Sequence, residues 1–117
     1  MTDQSHAQAQ TSAATATGVF ALLKAKPGVT REQVMAIMPA EIRATVQLYL
    51  EGKIRDWYAR DDGRGGIFLL NTTNVAEASA IMESLPLAKE HLLDHEYIPV
   101  GPLMPLRLLM GNQPANP

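Results

Sequence analysis

The period of the apolar residues changes several times between residues 18 and 100, and each change predicts a different kind of element. Short apolar runs bounded by turn residues are typical of strands. Asp61–Gly66, a polar turn between two such runs, predicts a hairpin, and Pro99 indicates a strand at the edge or near its end. The four predicted strands are Gly18–Lys26, Ile54–Arg60, Ile67–Asn71 and Glu96–Val100.

A helix is predicted to begin after Thr30, whose hydroxyl can accept from the backbone while Gln33 stands at the capping-box position. Pro39 lacks a donor and its ring crowds the preceding turn, so we expect it to interrupt the helix and start a second piece. Gly52 is the predicted stop.

The second helix has the same kind of start signal. Asn74 is the predicted cap, with Glu77 three residues later. Pro86 is expected to bend or restart this helix, which should then run to about Leu92. The predicted order is therefore β-α-β-β-α-β.

That order is the ferredoxin-like arrangement, an α+β fold in which two helices cover one face of an antiparallel sheet. The strands carry large apolar residues on both faces, so the second face also needs cover. These residues are Phe20, Leu22, Trp57, Phe68, Leu70 and Tyr97. We therefore expect a homodimer or larger homo-oligomer in which a second copy of the sheet supplies this cover. The apolar segment Pro102–Met110 is expected to reach across to the partner.

Composition narrows the class of protein. The chain has 117 residues, which predicts one domain over 18–110, with disordered tails at 1–17 and 111–117 that are polar or small. A net charge of −2 argues against nucleic acid and anionic membranes as partners. No cysteine is present, which excludes thiol chemistry. No secretory signal or long apolar span is seen either. We therefore expect a cytoplasmic protein.

Two histidines four residues apart, His91 and His95, form the first candidate site. On a helix this spacing brings two imidazoles to one side, but no third ligand is evident, so we predict no metal site. A role in lining a pocket or capping a helix and a role as ordinary surface or interface residues both stay open.

The glycine-rich segment Asp61–Gly66 leads into a strand, which favours a plain turn over a phosphate-binding loop.

A second candidate site is the strand that carries Arg55, Trp57, Tyr58 and Arg60. Strand alternation predicts that Arg55 and Trp57 share one face and that Tyr58 and Arg60 share the other. An aromatic ring beside arginines can bind a planar anionic ligand through stacking and paired hydrogen bonds. A packed interface tryptophan with solvated arginines is the alternative.

Glu41, on the first helix, is the third candidate. A carboxylate in a pocket can transfer protons as a general base. The alternative is a glutamate near a helix start that complements the helix dipole.

The stretch GGIFLLNTTNVAEASAIMESLPL, followed by EYIPVGPL, resembles the muconolactone isomerase-like family of dimeric α/β-barrel proteins. The strand ending in Asn71-Thr72, the Val-x-x-Ala helix pattern and Leu85-Pro86-Leu87 carry the resemblance, which covers roughly residues 18–105. It implies a ferredoxin-like fold, assembly through the sheets, and an isomerase that moves a double bond by proton transfer without a cofactor, in aromatic-compound breakdown. By position, Glu41 is the nearest match to the family's glutamate.

We therefore expect a protein that binds a small-molecule ligand, with Glu41 or a histidine moving the proton and Trp57 and an arginine positioning an anionic substrate. Two alternatives stay open. One is a cofactor-free monooxygenase of the antibiotic-biosynthesis type, and the other is a non-catalytic binding or structural oligomer.

Overall fold

The computed structural model describes residues 16–102, which form one α+β unit. The expectations for most of tail 1–17, for tail 111–117 and for Leu103–Met110 fall outside the described residues. The elements follow in the order β1 (Gly18–Ala25), α1 (Arg31–Leu50), β2 (Ile54–Ala59), β3 (Gly66–Leu70), α2 (Val75–Met82), α3 (Pro86–Lys89) and β4 (Leu93–Val100).

The strands form one four-stranded sheet in the order β2-β3-β1-β4, with every neighbouring pair antiparallel. The first and last strands, β1 and β4, therefore lie side by side. Of the two hairpin strands, β3 lies next to β1 and β2 forms the edge opposite β4. This arrangement is compatible with a ferredoxin-like fold. Because β4 is an edge strand, Pro99 is accommodated there, as predicted.

Both predicted helix caps are confirmed. The Thr30 side chain accepts from the Gln33 N–H at 3.2 Å, and the Gln33 side chain accepts from the Thr30 N–H at 2.8 Å. The Asn74 side chain accepts from the Glu77 N–H at 3.0 Å. Each cap satisfies donors that the helix backbone leaves unpaired, so these starts are encoded by neighbouring residues.

The prediction that Pro39 interrupts the first helix is wrong, because α1 is continuous over 20 residues. The carbonyl that Pro39 leaves without a helical partner belongs to Met35. Met35 is 48% exposed, so water has access to this part of the helix. Water can therefore bond the carbonyl that the proline leaves free, which lowers the local cost of the proline.

The second helical region is divided, and a new helix, α3, starts at Pro86, which is the restart that was one of the two predicted outcomes. This helix ends at Lys89 instead of the predicted Leu92. Strand β4 then begins at Leu93, earlier than predicted, because it pairs with β1 along its whole length. His95 consequently lies in a strand. His91 lies in the preceding turn with φ of 59°, so the two histidines do not share a helix.

One face of the sheet packs against the helices. Val19, Ala21 and Leu23 point from β1 into this core, and Val34, Ile37 and Met38 of α1 pack against it. The other buried apolar residues are Ala25, Ile54, Leu70, Ala78, Met82, Leu85, Leu87 and Leu93.

The opposite face, which we call the open face, carries Phe20 and Leu22 with Ile67, Leu69 and Ile98 paired beside them. Phe20, Leu22, Ile67 and Leu69 are partly exposed, and Ile98 is exposed. No described helix contributes to the cover of this face.

Among the described residues, no helix has the length and apolar character that crossing a bilayer requires.

Candidate functional site

A cleft of about 640 Å³ lies between α1 and the sheet, on the side of the β2–β3 hairpin. Its helix wall is apolar and remains accessible, since Met35, Ile42 and Val46 are 48%, 54% and 39% exposed. The other apolar or small lining residues are Leu23, Ala25, Val29, Val34, Met38, Trp57, Ala59, Gly63, Gly65, Gly66, Phe68, Leu87 and Leu93.

Small residues on the sheet side leave room for this cleft. Ala25, Ala59 and Gly66 line it where strands with larger side chains would fill the space. At Gly65 the hairpin approaches β1 so closely that a Cβ atom would collide with the Leu23 carbonyl. The Ala25 N–H also donates to the Arg64 carbonyl at 2.8 Å, so the hairpin end is fastened to β1. The cleft therefore has a fixed end.

Glu41 lies in the lining of this cleft and is the one buried charged residue among those described, at 7% exposure. Its Oε1 accepts from the Leu87 N–H at 2.9 Å, across 46 residues of sequence. Burial raises the pKa of the Glu41 carboxyl above its ordinary value, and the Leu87 hydrogen bond opposes that rise. A carboxyl with a raised pKa is suited to exchanging a proton nearer neutral pH.

The Leu87 hydrogen bond also has a structural effect. Leu87 is the second residue of α3, and Leu85, at the cap position, makes no side-chain hydrogen bond to that helix. Glu41 thus supplies, from α1, an acceptor that α3 lacks locally. This contact fixes one carboxylate oxygen in place.

Trp57 also lines the cleft, and its ring stacks on Tyr49 of α1 at 4.5 Å with an interplanar angle of 15°. It is paired with Phe68, which packs against the core, so both rings stand on the helix-bearing face. The aromatic wall of the cleft is therefore built from β2 and β3, and Tyr49 of α1 supports it by stacking on Trp57.

The predicted pairing of Arg55 with Trp57 on one face is wrong. An irregularity between Ile54 and Asp56 shifts the register of β2 by one residue and changes which face the following side chains take. Arg55 lies instead beside Gly18 and Leu69 and donates to the Thr17 carbonyl at 2.5 Å.

Tyr58 borders the cleft. Its pairing with Ile67 nevertheless assigns its side chain to the open face, since Ile67 also pairs with Leu22. Arg60 does not line the cleft, and its guanidinium is engaged in a two-point ion pair with Asp62, at 3.1 and 3.0 Å. That pair and the Arg64 N–H together lower the pKa of Asp62 to about 2.

Two other arginines, Arg31 and Arg64, line the cleft in their place. Arg31 is the first residue of α1 and Arg64 belongs to the hairpin turn. Neither lies in the strand that sequence reasoning singled out. The signal that would have pointed to them is their proximity to Pro27-Gly28 and Gly63, since the turn that follows β1 and the turn that precedes its antiparallel neighbour β3 lie at the same end of the sheet.

The histidines lie elsewhere. His91 is exposed and His95 stands on β4, and neither belongs to the lining of the cleft. His95 stacks on Tyr97 at 6.1 Å, and its Nε2 is buried with no hydrogen-bond partner among the described residues. Burial lowers the pKa of His95, although nearby Glu83 opposes this. Of the three predicted catalytic residues, only Glu41 reaches the cleft.

Within residues 16–102, no group of three or more His, Cys, Asp or Glu side chains is arranged to hold a metal ion. The fold and the cleft together describe an α+β domain with an accessible apolar pocket between its helix layer and its sheet. A scan against models of known protein families and a search of curated proteins both return no match for this chain.

Proposed function

We propose that this chain binds a small molecule in the cleft and isomerises it by proton transfer without a cofactor, as the resemblance to the muconolactone isomerase-like family implies. The observation that carries the proposal is Glu41, a buried carboxyl with a raised pKa at an apolar cleft that solvent and ligands can enter. Fold alone does not determine activity, so the case depends on this residue.

The chemistry follows from the position of the carboxylate. Glu41 takes a proton from a carbon next to a conjugated carbonyl group and returns it to another carbon of the same system. One C–H bond breaks, another forms and the double bond shifts, with no net oxidation. The Leu87 hydrogen bond keeps the carboxyl oriented, and the apolar lining reduces competition from water.

The test is the substitution Glu41→Gln, assayed for double-bond migration in muconolactone. The amide oxygen can still accept from the Leu87 N–H, so the cap on α3 is kept while the base is lost. We expect turnover to fall by about a hundredfold or more, the usual range for a general base. Glu32→Gln, in the exposed first turn of the same helix, is the matched control and should leave turnover unchanged.

Full turnover in Glu41→Gln would exclude that residue from the mechanism. Absence of turnover in the unaltered protein would remove the isomerase assignment itself. In that case the second candidate, a non-catalytic binding protein, is favoured by one specific observation. The one hydrogen bond recorded for the Glu41 carboxylate in the described part of the chain is to the backbone of α3, which is a structural contact.

The proposal includes a homodimer in which a second copy covers the open face. Its support is the row of partly exposed apolar residues there, which includes Phe20, Leu69 and Ile98. A two-fold pairing places this surface against itself and closes the assembly. A stable interface of this kind buries on the order of a thousand Å² or more.

Sedimentation velocity at micromolar concentration tests the dimer. Ile98→Asp, on the open face, should produce monomers. Val75→Asp, on α2 with nearly the same exposure (39% against 40%), should remain a dimer. A monomeric unaltered protein would contradict the assembly. A dimer that survives Leu106→Asp with Leu108→Asp would remove the expected contribution of Pro102–Met110.

A further inference from the structure

Four polar side chains join β4 to the end of α2, and we call them the α2–β4 cluster. Ser79 and Glu83 come from α2, where Glu83 is the capping residue at the C-terminal end, and His95 and Tyr97 come from β4. Both β4 residues pair with buried residues of β1, so they stand on the helix-bearing face. None of the four lines the cleft. The cluster is therefore separate from the candidate functional site.

The Glu83 carboxylate is the acceptor at the centre of this cluster. Its Oε2 accepts from the Ser79 hydroxyl at 2.7 Å and from the Tyr97 hydroxyl at 3.0 Å. These two hydrogen bonds, with Ser79 contributing more, lower the pKa of Glu83. The carboxylate is therefore charged throughout the pH range in which a histidine titrates.

His95 is the member of the cluster without a partner. Its ring lies beside the Tyr97 ring, with 6.1 Å between centroids, and its Nε2 is buried with no hydrogen-bond partner among the described residues. Burial lowers the pKa of His95 and the Lys26 charge acts in the same direction, whereas Glu83 and, less strongly, Asp94 raise it. A charged imidazole has a donor on both nitrogens, so a protonated His95 requires an acceptor at Nε2.

We propose that His95 and Glu83 form a pH-dependent switch between β4 and α2, in which a protonated His95 pairs with Glu83 and draws that carboxylate away from the Tyr97 hydroxyl. The proton comes from solvent, and no other covalent bond changes. Glu83 makes no hydrogen bond to His95 in the present arrangement, so the pair forms only if the carboxylate or the ring moves. A hydrogen bond between two charged groups is stronger than one from a neutral hydroxyl, which favours the exchange in acid.

Nuclear magnetic resonance tests the switch, because it follows each ring separately. The Tyr97 and His95 ring resonances, assigned with Tyr97→Phe and His95→Gln, are recorded from about pH 8 to about pH 5. We expect both rings to shift with one common midpoint below 6.5. In His95→Gln the Tyr97 shift should be lost.

Glu83→Gln removes the charge and keeps an amide oxygen that can accept from Ser79 and Tyr97. The His95 midpoint should fall in this variant by about 0.3 pH unit or more, the size expected for a partly exposed ion pair. The Tyr97 ring should no longer respond to pH in this range.

His91→Gln is the matched control, because His91 is exposed in the turn before β4 and lies outside the cluster. It should keep the common midpoint. Asp94→Asn also removes a negative charge near His95, but Asp94 does not accept from the Tyr97 hydroxyl. It should lower the midpoint and keep the Tyr97 response. A thermal melt of each variant reports whether it folds.

A Tyr97 response that persists in Glu83→Gln would show that this ring senses only the charge of His95, and it would overturn the switch. A Tyr97 ring that stays unchanged while His95 titrates, or an equal His95 midpoint in Glu83→Gln, would do the same. If His95→Gln does not fold, the comparison with Glu83→Gln decides alone. None of these outcomes depends on turnover, so the switch and the proposed function are tested separately.

Discussion

The helix-bearing face of the sheet has two halves that differ in how they are packed. Beneath α2 and α3 the core is closed, with Ala78, Met82 and Leu87 at 5% exposure or less. Beneath α1 the one buried residue of the helix is Glu41, and the apolar residues Met35 and Ile42 are about half exposed. The same layer of the fold is thus closed on one side and open on the other.

The difference separates residues that stabilise the fold from residues that are available to a ligand. Apolar area that is removed from water contributes to folding, whereas the exposed wall of α1 contributes little. A contiguous exposed apolar wall beside a buried carboxyl is typical of a binding site. The closed half, beneath α2 and α3, therefore supports the sheet. The open half, which lies beneath α1 and is not part of the open face, is where a function is expected.

The largest expected effect comes from truncating the same residue type in the two halves. Met82→Ala, at a fully buried position, should lower the free energy of unfolding by about 2–5 kcal/mol because it leaves a cavity. Met35→Ala, at 48% exposure, should change it by less than about 1 kcal/mol. Urea denaturation measures both, and similar losses would show that the open half is closed in solution.

A smaller effect, seen as a pH dependence, distinguishes Glu41. Because the folded pKa of Glu41 lies above its ordinary 4.5, the folded state holds more protons than the unfolded state between those two values. Stability contributed by this group therefore falls as pH rises above 4.5. Glu41→Gln should remove that decline, as measured by urea denaturation at a series of pH values. An unchanged pH profile would show that the carboxyl is solvated.

The smallest expected effect has the opposite sign and comes from the closed half. The folded pKa of His95 lies below its ordinary 6.5, so the unfolded state holds more protons in the interval beneath 6.5. Stability from this group is complete above pH 6.5 and declines as pH falls below it. His95→Phe keeps a ring on Tyr97 and should lessen the decline in acid. A decline of the same size in the variant would assign it to other groups.

Several structural features followed from residues that are close in the chain. The caps at Thr30 and Asn74 are contained within three residues each, and the hairpin follows from a polar turn between two apolar runs. Alternation along β2 failed because one irregular residue changes the face of every residue beyond it. The error therefore fell on Arg55, next to that irregularity.

The chain by itself determined the order of the elements, the helix starts at Thr30 and Asn74, and the absence of cysteine chemistry, because each depends on residue type and on neighbours only. Only the tertiary structure decided that Glu41 is buried, since its partner Leu87 is 46 residues away. It also decided which arginines line the cleft, because Arg31 at a helix start and Arg64 in a hairpin turn border the same space only once the elements have packed. Contacts between distant segments depend on how whole elements pack, and no local pattern of residues encodes them.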